Sequence, residues 1–288
     1  MRPKFRRGDY DYDGAKTLLP EERASAAAVQ SGCYALEALS CTYGTRLSCF
    51  AVTIIDDKIY LWHYNACGIV YSDQVLSFVD DFEDAVVVIL AMVNANPERF
   101  GALPNSVMAP PKPYPYATKF PPSTLLQNRF ELRGAKRGDK YVVVLRKPLN
   151  AQYTITGRRS FVYTARITPS PKGYGKTGII VKFSYQVATR TAESALVSHA
   201  KSCGVEHLPD IHGSEDLMTL KDNAQEVYRR RKKYMKRLGI SISDEKPFCE
   251  DRILRGIVYT EYLSLRDLFG EHVELLPIMV DQMLDCKC

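Results

Sequence analysis

Apolar and polar side chains first alternate regularly at Ser48, where a run rich in β-branched and aromatic residues continues to Ile55. Asp56-Asp57 breaks the run, and Lys58 to Tyr64 resumes it as Ile-Tyr-Leu-Trp-His-Tyr, the pattern of a hairpin. Asn65-Ala-Cys-Gly68 supplies another turn and Ile69 to Tyr71 a third short strand. Phe82 to Val93 reads as a helix entered from Asp80-Asp81, whose charge suits the positive end of the helix dipole. Ahead of Gly32 no apolar period is sustained, so residues 1–31 are expected to be a disordered arm, followed by an α+β module over 32–100.

Eight of the 16 prolines fall between Pro97 and Pro122, where missing amide donors and fixed φ oppose helix and central strand. Residues 101–125 are therefore expected to be a linker or rigid surface loop, a polyproline ligand being the functional alternative. Beyond it, strand-like runs at Arg129–Arg133, Lys140–Arg146, Gln152–Thr156, Ser160–Ile167 and Thr177–Tyr185 are joined by glycine-bearing turns, as in an antiparallel meander. Thr191 opens a helix with Ala192, Leu196 and Ala200 on one face. Leu217, Leu220, Ala224 and Val227 predict a second helix over Glu215 to Leu238, and Ile257 to Thr260 a last strand.

Composition narrows the class without naming a function. With 45% hydrophobic and 25% charged residues the chain is that of a folded protein, not a disordered one. No apolar stretch approaches the ~20 residues needed to span a bilayer, and no signal segment follows the N-terminal charges. The eight cysteines are scattered without paired Cys-x-x-Cys units, which points to a reducing compartment, cytoplasm or nucleus, and to no metal site. Much of the +6 net charge traces to one run, Arg229 to Arg237. Clustered cations gain from phosphate contact, so a non-enzymatic interaction protein using residues 229–237 for nucleic-acid or nuclear-import contacts is the alternative reading. Only Tyr228 and Tyr234 offer stacking there, and a solvated helix end accounts for the run more simply than nucleic acid.

The residues that carry chemistry lie in the second half. Gly157-Arg-Arg-Ser-Phe-Val-Tyr-Thr-Ala165-Arg is similar to two strands and the turn that covers ATP, and Ile179-Ile-Val-Lys182 to the strand that carries a phosphate-binding lysine. An ammonium on a rigid strand bridges the α and β phosphates only if an acid on the packed helix holds it, and Glu193 is the carboxylate in the helix that follows. Thr260, Glu261 and Leu263 then resemble the gate and hinge beside the adenine. Upstream, Tyr34 to Leu47, Asp56 to Tyr71 and Asp80-Asp-Phe-Glu resemble the domain that precedes this lobe in fungal-type protein kinases, as Asp251 to Tyr259 resembles that family's approach to the hinge.

The resemblance implies an α+β fold: an antiparallel-sheet-plus-helix N-terminal module, then a protein-kinase-like N-lobe with the hinge and the start of the C-lobe helices over 126–288. It implies ATP as ligand, held by Gly157, Lys182, Glu193, Thr260, Glu261 and Leu263, besides any protein partner, with no membrane and no metal site of its own. The chain departs from an active kinase in several places. Only Gly157 remains of the glycine-rich turn; Arg159 stands where the second glycine is expected, either capping a phosphate or blocking backbone approach. Ile180 is bulky where a small residue would leave room for adenine. The Asp and Asn of a catalytic loop and a metal-binding Asp-Phe-Gly are not found: Leu265-Arg-Asp-Leu268 and Asp267-Leu-Phe-Gly270 match neither pattern. Nor is Gly173-Tyr-Gly-Lys-Thr177 a P-loop, since it leads into a strand. A truncated or degenerate kinase, silent in phosphoryl transfer, is the expectation.

Overall fold

The computed structural model describes residues 20–72, 75–112, 123–133, 140–168, 178–220 and 250–262. Helix α1 (Pro20–Ser40) is followed by strands β1 (Ser48–Ile55), β2 (Lys58–Asn65), β3 (Gly68–Tyr71) and β4 (Leu76–Ser77) and by helix α2 (Phe82–Asn94). Then come β5 (Arg129–Arg133), β6 (Lys140–Ala151), β7 (Phe161–Thr168), β8 (Ile179–Val187), helix α3 (Glu193–Ser202), β9 (Ile211–Thr219) and β10 (Arg252–Thr260).

The first sheet orders β1-β2-β3, with β4 also on β2. Cys49 lies opposite Tyr64 and Ala51 opposite Trp62, so these four share one face. That face receives α1, whose Ser31, Ala35 and Leu39 recur every fourth residue and are buried. Tyr64 extends its hydroxyl to Ser31 at 2.9 Å. The opposite face, with Phe50, Val52 and Leu61, is roofed by α2 across an apolar groove of about 260 Å³. α2 buries only Ala85, while Phe82, Ile89, Leu90 and Val93 stay exposed on its far side.

The second sheet is antiparallel throughout and orders β5-β6-β7-β8-β10-β9. It curls until its two edges approach: Arg133 lies 3.6 Å from Glu215, and Gly213 packs against the Arg133 carbonyl, where a side chain would collide. The concave interior holds Phe130, Leu132, Val143, Leu145, Phe161, Tyr163, Val181, Phe183 and Tyr185, with Phe161 and Phe183 stacked at 4.9 Å. Leu47, Ala66, Leu103 and Met108 from the first 112 residues belong to the same core.

Several expectations are corrected by this architecture. Helix α1 begins at Pro20, inside the segment expected to be a disordered arm; its Ala, Glu and Gln content favours helix without an apolar period to announce it. The proline-rich segment is no loose spacer in its described part, because Ala102, Leu103 and Met108 are buried, and Leu103 and Met108 belong to the core of the second sheet together with Leu47 and Ala66. Gln152–Thr156 is a turn, β6 having run on to Ala151. The helix expected from Glu215 is, through Thr219, strand β9: pairing with β10 supplies its backbone bonds and overrides the helix-like three-residue spacing of Leu217 and Leu220. The remainder of that span, Arg229–Arg237 included, lies outside the described residues.

Candidate functional site

Strand β8 divides its side chains by parity. Val181, Phe183 and Tyr185 enter the core, and Ile180, Lys182, Ser184 and Gln186 occupy the other face. β10 pairs with β8 so that Tyr259 lies opposite Ile180, Ile257 opposite Lys182 and Arg255 opposite Ser184, all on that second face. Arg255 is buried there, donating to Gln186 at 2.7 Å and, through two nitrogens, to Asp216 on β9. The Asp216 partner raises the Arg255 pKa above its ordinary value.

Helix α3 sits over this face and is held by polar contacts at its first turn. Lys182 Nζ donates to both carboxylate oxygens of Glu193 at 2.9 Å, and the Tyr259 hydroxyl donates to Glu193 Oε1 at 2.8 Å. Ser194 and Ser214 meet at 2.8 Å. No α3 residue is buried, and Leu196, expected on a packed stripe, is 54% exposed on the wall of a cavity. Partial burial opposes ionisation of Glu193, but the donors Lys182 and Tyr259 and the charges of Lys182 and Arg158 outweigh it, so the carboxyl sits below its ordinary range. Burial, then the bond to Glu193, push the Tyr259 hydroxyl upward.

The cavity beside this pair has a volume of about 630 Å³ and is walled by Gly157, Arg158, Lys182, Gln186, Arg190, Glu193, Glu250 and Arg252, among others. Four of those side chains are cationic and two anionic, an environment suited to an anion. Gly157 has φ +87°, and the space into which a Cβ would project is open to 4 Å, so a left-handed turn, not crowding, is what asks for glycine there. Its amide is spent on the carbonyl of Ala66 at 3.0 Å.

Sequence reading brought Gly157, Lys182 and Glu193 to one place, and the structure does so too. It places the others differently. Alternation puts Thr260 on the face opposite Tyr259, and its hydroxyl lies 2.8 Å from His212 Nε2. Glu261 closes the end of β8 by donating its amide to the Gly178 carbonyl at 2.8 Å. Leu263 lies outside the described residues. Arg159 caps no phosphate: it is buried, donates to the carbonyls of Leu47, Arg46 and Leu39 at 2.9, 3.1 and 3.3 Å, and lies 5.2 Å from the Tyr185 ring centre. Tyr259, Arg158, Arg190 and Arg252 were missed; strand parity could have found Tyr259 only with the pairing of β8 and β10 in hand, which puts it on the Lys182 face.

A family model described as "Fungal protein kinase" matches residues 20–260, from the first residue of α1 to the last of β10. No curated protein and no solved structure matches the chain. Covering both sheets and all three helices described, the family match shows that the chain belongs to the fungal protein kinases.

Proposed function

We propose that the six-stranded sheet with α3 is the small lobe of a protein kinase, and that the cavity beneath Gly157 takes the phosphates of ATP. The observation that carries this reading is the Lys182–Glu193 pair at 2.9 Å on the wall of that cavity. A meander, a helix and a returning strand are the element order of such a lobe, and an acid on the helix holding a strand lysine is the arrangement that positions α and β phosphates. Lys182 supplies the central charge, Glu193 orients it, Tyr259 fixes Glu193, and Arg158, Arg190 and Arg252 add positive potential around the phosphates. Ile180, on the Lys182 face toward Glu261, narrows the space left for a base.

The reading assigns binding, not transfer, to these residues. Transfer needs an Asp to orient the acceptor hydroxyl and an Asn and Asp to hold Mg²⁺, a set not recognised in this sequence. Titration of MgATP and MgADP by calorimetry tests the proposal: binding is expected for the wild type and a loss of about tenfold or more in Lys182→Ala, with a smaller loss in Glu193→Gln. Equal affinity in wild type and Lys182→Ala overturns the nucleotide site. Labelled phosphate reaching an acceptor protein above the Lys182→Ala background overturns the assignment of binding alone.

A further inference from the structure

Residues 152–160, between β6 and β7, bring Gly157 and Arg158 to the cavity wall; the base of this turn is closed by bonds between Gln152 and Ser160 and by Thr154 on Thr156, whereas its tip, Gly157–Arg159, bonds to residues outside the turn. Gly157 has φ +87° in open space, and Arg159 sits at φ +38°, where a side chain is unfavourable. The restraint comes from the first hundred residues. The amide of Gly157 donates to Ala66, in the turn between β2 and β3, at 3.0 Å. Arg159 reaches Leu39 in the last turn of α1, where unpaired carbonyls and the helix dipole favour a cation, and continues to Arg46 and Leu47. On the surface, the Tyr153 hydroxyl donates to Glu37 of α1 at 2.5 Å. From the lobe itself, Tyr185 donates its amide to the Arg158 carbonyl at 2.7 Å.

These ties bracket a single residue. Arg158 is fixed by its neighbour on each side and by its own carbonyl, and its side chain is the one that the turn contributes to the cavity wall together with Gly157. We propose that the N-terminal module is a clasp for this turn, with Arg159 and Tyr153 as positioning residues that hold Arg158 toward the phosphates. The inference rests on the nucleotide reading of the cavity, but its mechanical half stands on the hydrogen bonds alone. In contrast to a turn that closes on its ligand, this one is set before the ligand arrives, and docking of α1 governs how well it is set.

Two measurements on the full chain decide the matter: amide hydrogen exchange at Gly157–Ser160 without ligand, and MgATP affinity by calorimetry. Tyr153→Phe changes an exposed contact and should leave the melting temperature close to wild type, while exchange at Gly157 accelerates and affinity falls about threefold. Arg159→Ala should accelerate exchange and weaken binding about tenfold, with partial rescue in Arg159→Lys. Arg158→Ala should weaken binding without altering exchange, and adding Tyr153→Phe to it should cost nothing more, the coupling that separates positioning from general destabilisation. Unchanged exchange in Tyr153→Phe and in Arg159→Ala overturns the clasp. Faster exchange with unchanged affinity, or full additivity with Arg158→Ala, overturns the positioning role. Absence of nucleotide binding by the wild type, with the exchange effects intact, refutes the nucleotide reading and the positioning role and leaves the clasp.

Discussion

The hydroxyl of Tyr163 accepts the amide of Leu125 at 2.9 Å and donates to the carbonyl of Tyr43 at 2.9 Å. A fully buried side chain on β7 thus satisfies one backbone group from each side of the proline-rich segment. Leu125 is fully buried, so its amide depends on this hydroxyl, while the Tyr43 carbonyl is only partly buried. Tyr163→Phe keeps the ring and its edge contact with Phe161 but orphans a buried N–H. We expect a loss of about 2 kcal/mol in urea unfolding with an unchanged m-value. A loss within error of zero would show that the two halves are not joined through this residue.

Two glycines with similar φ give a contrast that separates strain from crowding. Gly44 (φ +90°) faces the Phe161 ring at van der Waals range with no room for a methyl, and Phe161 is itself stacked on Phe183. Gly157 (φ +87°) faces open space. Gly157→Ala should therefore cost about 1 kcal/mol, the conformational penalty alone, and Gly44→Ala about 3 kcal/mol, because a buried ring must move as well. Equal midpoints in the two variants would contradict the packing described for Phe161.

How much of this was legible in the sequence depended on whether an element's signal was local. β1 and β5 were read to the residue because alternation and bounding turns sufficed, and α2 to within one residue because acids precede an apolar run. Helix α1 was missed over its whole length, Pro20–Ser40, since alanine carries helix propensity without marking a buried face. β9 was misread because an edge strand is decided by its partner, while the three-residue spacing of Leu217 and Leu220 is helix-like. The Lys182–Glu193 pair was legible from residue types in a known order. The role of Arg159 was not: its three acceptors are backbone carbonyls more than a hundred positions away, and carbonyls leave no trace in a sequence.

Helix α3 buries none of its residues, so its position relies on polar ties, Glu193 and Ser194 at its first turn and Lys201, which donates to Asp210 at 2.6 Å, at its last. Removing one hydroxyl in Tyr259→Phe should leave global stability nearly unchanged while amides of Leu196–Lys201 exchange several-fold faster, because local opening draws on few contacts. Glu193→Gln should do the same more strongly. Since the folded-state pKa of Glu193 is lowered, its contribution is complete above the unfolded carboxyl value and is lost as pH falls through the folded one. Protection of α3 should accordingly persist through mildly acidic pH in the wild type. Exchange in α3 that is identical in wild type and both variants would place the helix's restraint elsewhere.

His63 lies half-buried against Phe50 with ring centres 4.5 Å apart. Asn65 Nδ2 approaches its Nδ1 at 3.4 Å, a contact that the neutral ring accepts and the imidazolium does not. Burial pulls its pKa from 6.5 down to about 4. Between those values the unfolded chain binds a proton that the folded chain refuses, so stability is complete above the unfolded value and declines as pH falls toward the folded one. The full interval corresponds to at most about 3 kcal/mol. His63→Phe removes the titration while preserving a ring on Phe50, so unfolding free energies measured from pH 7.5 to 4.5 should fall less steeply than in the wild type. His212, whose pKa burial also lowers, accounts for part of the slope that remains. Parallel slopes in the two proteins would mean that His63 takes up its proton at the same pH folded and unfolded, and that its contact with Phe50 is not a desolvated one.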